Sequence, residues 1–566
     1  PAQLLTGGIE RIAQRRVDRV PTASHPALVA AAILGRELNL DVLQQMLPDL
    51  SLEPWLHDCA NAAVLEMQRG DWRFAHDKLR EALLRRVGED ERRSLHGRAA
   101  RAIESLYSGA ARESKAALLA HHFFEAGEHE AAAAYNLLAG NGATRLCSYA
   151  EARRRYAAAR VSLDKLAPSP RQMRATVDIL LQQIYTTLVA DTAEQNFSRI
   201  AEARALLDRL AQGGETSLED RVRLARVNFF HGRIHFYRNE TRQALEYYRQ
   251  VLPAAQESGD EELLALPASL IGTAVLVRGN AREAEPLLAQ SIGPLERVGE
   301  PFEWFRAVGY HGMSLLALGR YEEGVTELGR TVARAHQIGQ PSLLSASHLM
   351  TGTTYLISSD WGLVVEYLGK ALGYAKQTGD KLHLSLAWSG FAWAQSHLGL
   401  GPESRESRAI GESIAREMGG RLMLDDWYRA GDADMTLNQG DLDTALALAE
   451  AVVASSEPAG LLFSWGVAER VLSEVRSLRG EHGAARAHIG RSLEAHERGG
   501  FLMQLPRTHF AAALQARRGG ERGLAESHHA QSAALLDRFG RHGERRRQDQ
   551  VWARIHVDSE NLTEVS

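Results

Sequence analysis

The chain has 566 residues, a formal net charge of −5, 45% hydrophobic and 24% charged residues, and two cysteines, Cys59 and Cys147. That length holds roughly three or four ordinary domains or one long repeat array. The near-balanced charge offers no field to draw nucleic acid or anionic lipid, two distant cysteines exclude a disulfide framework or a cysteine zinc site, and no run of about eighteen apolar residues is present to span a bilayer.

Pro1 to Ile9 lack the basic start and apolar run of a secretory signal, so a cytoplasmic setting is expected. A chain that opens on Pro rather than Met is also compatible with a piece of a longer protein. Residues 1–110 read as a separate domain. Two short helices are expected between Pro26 and Leu47, and another from Leu52 to Leu65. Val64-Leu65-Glu66-Met67 and Trp72-Arg73-Phe74 then flank Gln68-Arg69-Gly70-Asp71, a hairpin pattern. A helix from about His76 to Val87 follows, and helices followed by a hairpin predict a winged helix. Residues 111–215 read as irregular helical pairs, one over Ala117 to Ala167 and one over Arg171 to Gln212, broken at Pro168 and Pro170.

Residues 216–540 carry a repeat. One series of turn residues reads Asn239, Gly279, Gly319, Ser359, Gly399, Gly440, Gly480 and Gly520. A second, halfway between, reads Gly259, Gly299, Gly339, Gly379, Gly419, Gly460, Gly500 and Gly540. Both step by forty residues, with one slip near Gly440. Apolar residues between the marks recur at helical spacing, as in Val325, Leu328, Val332 and Ala335. Each unit is therefore two helices of about fifteen to eighteen residues, each about 25 Å long. Neither helix can bury its apolar stripe alone, so neighbouring units must stack into a continuous core. Residues 541–566 are expected to cap the array or to lie outside it.

Gly232, Gly272, Gly312 and Gly352 each precede a turn by seven residues, and Ala244, Ala284, Ala445, Ala485 and Ala525 each follow one by five. Small residues at these two points let paired helices approach. This resembles the tetratricopeptide repeat, lengthened by about six residues per unit. The implied fold is all-α, a right-handed superhelix of helix pairs behind a small winged helix. A second resemblance rests on Ala31-Ala32-Ile33-Leu34-Gly35-Arg36-Glu37-Leu38, Phe74-Ala75-His76-Asp77-Lys78-Leu79-Arg80-Glu81-Ala82-Leu83, Leu95-His96-Gly97-Arg98-Ala99-Ala100 and Leu119-Ala120-His121-His122. These resemble the region after the nucleotide-binding core of the STAND signal-transduction ATPases, where a winged helix leads into a repeat superhelix that senses an inducer. Some members of that class carry a Ser/Thr kinase, cyclase or DNA-binding domain as well.

No phosphate loop occurs in this sequence, since Gly369-Lys370 runs into Ala371 without the earlier glycine. The chain is thus expected to be non-catalytic and without a cofactor, ATP or ADP belonging to an upstream domain. The resemblance places His76 where some relatives touch the nucleotide phosphate. The plainer reading is a histidine that starts a helix. His121 and Glu125, four apart, have a metal-compatible spacing but no third ligand in view, so no metal is expected. Asp425, Asp426, Asp432 and Asp434 lack the glycine and final glutamate of a calcium loop and read as a solvated surface.

The expected site is the concave wall, lined in such superhelices by the first helix of each pair. Counting from the turns puts Arg226, Phe229, Arg233, Phe236, Arg306, Met313, Trp393, Trp427, Arg470, Arg507 and Phe510 there. Arginine grips carboxylates bidentately and aromatics give rigid apolar contact; the alternative is packing against the next helix. The function expected is a sensor and interaction arm of a STAND-type regulator. A protein, a peptide or a small inducer would fill the groove, self-association stays open, and neither membrane nor nucleic acid is a partner. The alternatives are a plain scaffold or the regulatory arm of a kinase or cyclase.

Overall fold

In the computed structural model the described residues are 12–561 apart from 147, 189, 215–216 and 299–300, with backbone alone at 301 and 555–561. Cys147 and Gly299 and the Pro1–Ile9 segment therefore lie outside them. The chain forms two compact units, Pro1–Thr186 and Thr187–Ser566, which divide the expected irregular stretch 111–215 between them.

The first unit opens with α1 (His25–Leu34), α2 (Leu40–Met46) and α3 (Leu52–Asn61), followed by the antiparallel strands β1 (Leu65–Gln68) and β2 (Asp71–Phe74). Arg69 (φ 57°) and Gly70 (φ 97°) make the turn, both in the left-handed region a tight two-residue hairpin demands. The segment between α1 and α2 runs beside β2, with Phe74 N–H donating to Arg36 O at 2.9 Å and Leu38 N–H to Trp72 O at 2.8 Å. Leu28, Leu43, Val64, Leu65 and Phe74 close the core beneath it. Next come α4 (Asp77–Leu84), α5 (Glu89–Leu106), α6 (Ala116–Glu125), α7 (His129–Arg145), α8 (Tyr149–Leu163) and α9 (Pro170–Thr187).

The second unit starts with α10 (Ala193–Gln212), which Thr192 and Gln195 begin with a reciprocal capping box. The repeated pairs follow. Their first helices are α11 (Leu218–Tyr237), α14 (Glu261–Val277), α16 (Pro301–Ala317), α18 (Pro341–Ser358), α20 (Lys381–His397), α22 (Asp425–Asn438), α24 (Leu462–Leu478) and α26 (Leu505–Arg518). The second helices are α12 and α13 (Thr241–Arg249 and Leu252–Ser258, one helix split before Pro253), α15 (Ala281–Val298), α17 (Tyr321–Ile338), α19 (Trp361–Thr378), α21 (Gly401–Glu417), α23 (Leu442–Ala459), α25 (His482–Gly499) and α27 (Arg522–Arg538). The terminal helix α28 (His542–Asn561) covers the last pair. Its Trp552 packs with Ala513, Ala516 and Ala525.

Helix borders obey the glycine ladder. Every described residue of both turn series has positive φ, including Asn239 at 61° and Ser359 at 59°. The small residues sit where expected. A Cβ on Gly232 would lie 2.5 Å from the Tyr248 ring, and one on Gly324 would lie 2.7 Å from the Gly312 carbonyl. Ala244, Ala284, Ala445, Ala485 and Ala525 are all fully buried. Ala284→Trp is therefore expected to cost about 1–3 kcal/mol or more through overpacking; an unchanged melting temperature would refute this packing. Near the slip at Gly440, α22 has only 14 residues, as α26 does, and it follows a lead-in that ends in a turn with Leu424 at φ 63°.

The array also contacts itself across its coil. Met423 N–H donates to Tyr237 O at 2.7 Å, and Leu462 N–H to Arg278 O at 3.0 Å. Asn239 Nδ2 reaches Asp426 at 2.8 Å across 187 residues, and Arg278 reaches Ala459 O at 2.7 Å across 181. Gly279 permits this approach, since a Cβ there would stand 2.7 Å from Phe463 N. Helices about four and a half units apart are thus in contact. No helix among the described residues is long and apolar enough to cross a membrane.

Candidate functional site: the inner wall of the repeats

Because the coil closes on itself, the inner wall is packed rather than laid open. Phe229, Phe236, Met313, Trp393 and Trp427 are 5% exposed or less, Arg233 and Arg306 are buried, and Arg470 is at 0%. Arg226, Arg507 and Phe510 are half-buried. The open concave surface expected for these residues is therefore corrected for most of them, since the next turn of the coil lies against it. The acidic group at the start of α22 is corrected too: Asp426 and Asp434 are 4% and 1% exposed, inside instead of solvated.

Two charge clusters occupy this interior. In the first, Arg233 and Arg306 share Glu303. Arg233 Nη1 pairs with one carboxylate oxygen, and Arg306 Nε donates to the other at 2.9 Å. Tyr237 OH lies 2.5 Å from Arg233 Nη2, while Arg306 also reaches Thr273 at 3.3 Å and Ser269 at 3.4 Å. Burial would raise the Glu303 carboxyl, but the two guanidiniums more than offset it and hold it below the usual range. Arg226, by contrast, pairs with Asp260 and Glu262 at 2.8 and 3.3 Å.

In the second cluster, Asp434 accepts from Trp393 Nε1 at 2.8 Å and Arg507 Nη2 at 2.9 Å, with His397 Nε2 at 2.8 Å. Burial opposes its charge, yet Arg507 and His397 hold it well below its normal value. Arg507 also lies over the Trp361 ring at 5.5 Å. Beside this cluster, Arg470 donates to Gln504 Oε1 at 2.9 Å, while its Nε and Nη2 have no partner among the described residues. Burial and the charge of Arg507 pull its guanidinium down to about 10. Trp427 instead stitches the coil, its Nε1 donating to Val277 O at 3.0 Å, and Phe510 packs beside Trp552 in the end cap.

Space remains next to the first cluster. A cavity of about 70 Å³ is lined by Phe236, Tyr237, Phe305, Arg306, Tyr310 and Met350, among others, enough for a few waters or one inserted side chain. Two of these, Phe236 and Arg306, were legible by counting from the turns. Glu303 was missed, although a lone carboxylate in Phe302-Glu303-Trp304-Phe305 is the kind of buried charge that needs a cationic partner. Asp434, read from the sequence as solvated surface, stands two helical turns beyond Trp427 on the same helix and faces inward. His76, in the first unit, starts α4, its Nδ1 accepting from Lys78 N–H at 3.1 Å.

No protein-family profile matches the sequence, and no curated protein matches it. Among solved structures, a Rap protein complexed with Competence and Sporulation Factor is similar at 12% identity, over 65% of this chain and 98% of that chain, with a TM-score of 0.51. This chain carries a tetratricopeptide-like superhelix. At that identity the likeness shows the fold alone. A STAND protein with a tetratricopeptide repeat sensor from Pyrococcus horikoshii is similar at 13% identity over 85% of this chain and 64% of that chain, with a TM-score of 0.39. The apo form of the quorum sensor NprR from B. thuringiensis is similar at 13% identity, over 64% and 97% respectively, with a TM-score of 0.41. In the tetratricopeptide-like superhelix of this chain, forty-residue pairs make the wall and the inner helices bring the two charge clusters together.

Proposed function

We propose that this chain is a non-catalytic, cytoplasmic sensing and interaction arm of a STAND-type signalling regulator, and that it takes up a peptide or protein segment through the inner wall. The observation that carries the reading is the cavity beside Arg306. Aromatic walls meet a cluster in which, among the described residues, two guanidiniums face one carboxylate. A carboxylate next to an apolar side chain would fill the space and balance the charge, with the bidentate geometry that guanidinium favours. The solved Rap protein is itself complexed with a factor, in keeping with ligand uptake by such a fold. The STAND part rests on the sequence resemblance and on the order of elements in the first unit, which we read as a winged helix: helix, extended segment, two helices, hairpin. ATP or ADP would then belong to another domain of that regulator, and His76 would face its phosphate only after giving up its cap. Contacts across the coil supply the element a ligand would bias, provided it binds the closed and loosened coils with different affinity.

The test is a titration of the full chain with fluorescent decapeptides that end in an apolar residue, as free carboxylates and as amides. Saturable binding of the carboxylates, weakened at least tenfold by amidation and by Met350→Trp, is the expected result. No binding, or binding indifferent to Met350→Trp, would refute the assignment.

A further inference from the structure

The sequence offers His121 and Glu125 as a bare pair, and the fold supplies what that pair lacked. His96 on α5 and the neighbours His121 and His122 on α6 converge, each presenting one ring nitrogen, with all three nitrogens within 4.8 Å of one another. Their ring centroids stand 5.1 to 5.6 Å apart. His96 and His122 are 3% and 1% exposed, whereas His121 faces solvent.

Two ring nitrogens meet at the centre of the cluster. His96 Nδ1 and His122 Nδ1 face each other at 2.9 Å, so a single proton must serve two lone pairs. The opposite nitrogen of His122, Nε2, is buried without a hydrogen-bond partner among the described residues. An imidazole satisfied by protein ordinarily has a partner for each nitrogen. A neutral imidazole is the form that donates a lone pair to a metal.

We propose that His96, His121 and His122 form a three-imidazole site for a divalent transition ion of the zinc class. Imidazole nitrogen suits such ions, and three histidines with a fourth position open to water or to another ligand is an established zinc geometry. Zn–N bonds of about 2.0–2.1 Å place tetrahedral nitrogens about 3.4 Å apart, so the buried pair opens by about half an ångström and the exposed His121 rotates inward. Two cations lie near the cluster, and both are engaged elsewhere: Arg80 donates to Ala32 O at 2.7 Å, and Arg92 lies 3.8 Å from Glu125. A bound ion ties α5 to α6 across the intervening Gly109–Ser114 helix and so braces the first unit.

The experiment uses the full chain, stripped with chelator and titrated with Co²⁺ and then Zn²⁺. One Co²⁺ per chain with the strong visible bands of a tetrahedral site, displaced by Zn²⁺, is expected. His121→Ala, an exposed change that leaves the metal-free melting temperature where it was, is expected to weaken binding at least tenfold and to abolish the rise in melting temperature on adding Zn²⁺. The proposal is overturned if the wild type binds no stoichiometric ion at micromolar metal, if the Co²⁺ spectrum is weak and octahedral, or if His121→Ala binds as the wild type does.

Discussion

Glu303→Ala is expected to lower the stability of the repeat unit by about 3–5 kcal/mol, the usual cost of removing one partner from a buried ion pair. Glu303 is 3% exposed, and Arg233 and Arg306 both depend on its oxygens. Without it two guanidiniums are left buried beside each other with no carboxylate between them. The loss therefore comes from uncompensated charge more than from missing packing. Replacing all three residues by Met separates the two causes, since an apolar substitute for a buried charge cluster is often neutral or stabilising. Urea midpoints of the single and triple variants decide it. A single variant within 1 kcal/mol of wild type, or a triple variant no better than the single, would show that the cluster is not the buried, mutually dependent unit described above.

The second large effect is expected at Trp427. Its ring stacks near Phe463, with centroids 4.0 Å apart, and meets Phe501 at 5.9 Å, while its Nε1 holds the Val277 carbonyl 150 residues away. Trp427→Ala removes the ring from a fully packed interior and is expected to cost about 3–5 kcal/mol. Trp427→Phe keeps most of the ring and loses the hydrogen bond, which leaves the buried carbonyl unpaired at about 1–3 kcal/mol. Hydrogen exchange gives a local readout. The Met423 and Leu462 amides bond across the coil to Tyr237 O and Arg278 O, so both are expected to exchange faster in Trp427→Ala. If they stay as protected as in the wild type, Trp427 does not hold the turns together.

These two residues show how the sequence and the fold divide the information. Helix pairs, their forty-residue step, the left-handed turn positions and the small residues at helix crossings are all legible along the chain. Each is set by local geometry: a helix has one period, a helix end needs a residue tolerant of positive φ, and two helices that cross closely leave no room for a Cβ. Phe236 and Arg306 were placed on the inner wall by the same counting.

How tightly the array coils is a different matter. A small rotation per unit, accumulated over four or five units, decides whether inner helices face solvent or meet the next turn, and no short stretch of sequence encodes that sum. It is why Arg470, Trp393 and Asp434 lie in a packed interior, and why Glu303 and Asp434 find cations 70 and 73 residues away. The histidine cluster follows the same rule. His121 and His122 are neighbours in the chain, but His96 joins them from another helix 26 residues before His122. The sequence by itself determined the repeated helix pairs, because their causes lie within a few residues. The tertiary structure alone decided which charges meet and which surfaces close, because those depend on distances between helices that only the packed chain sets.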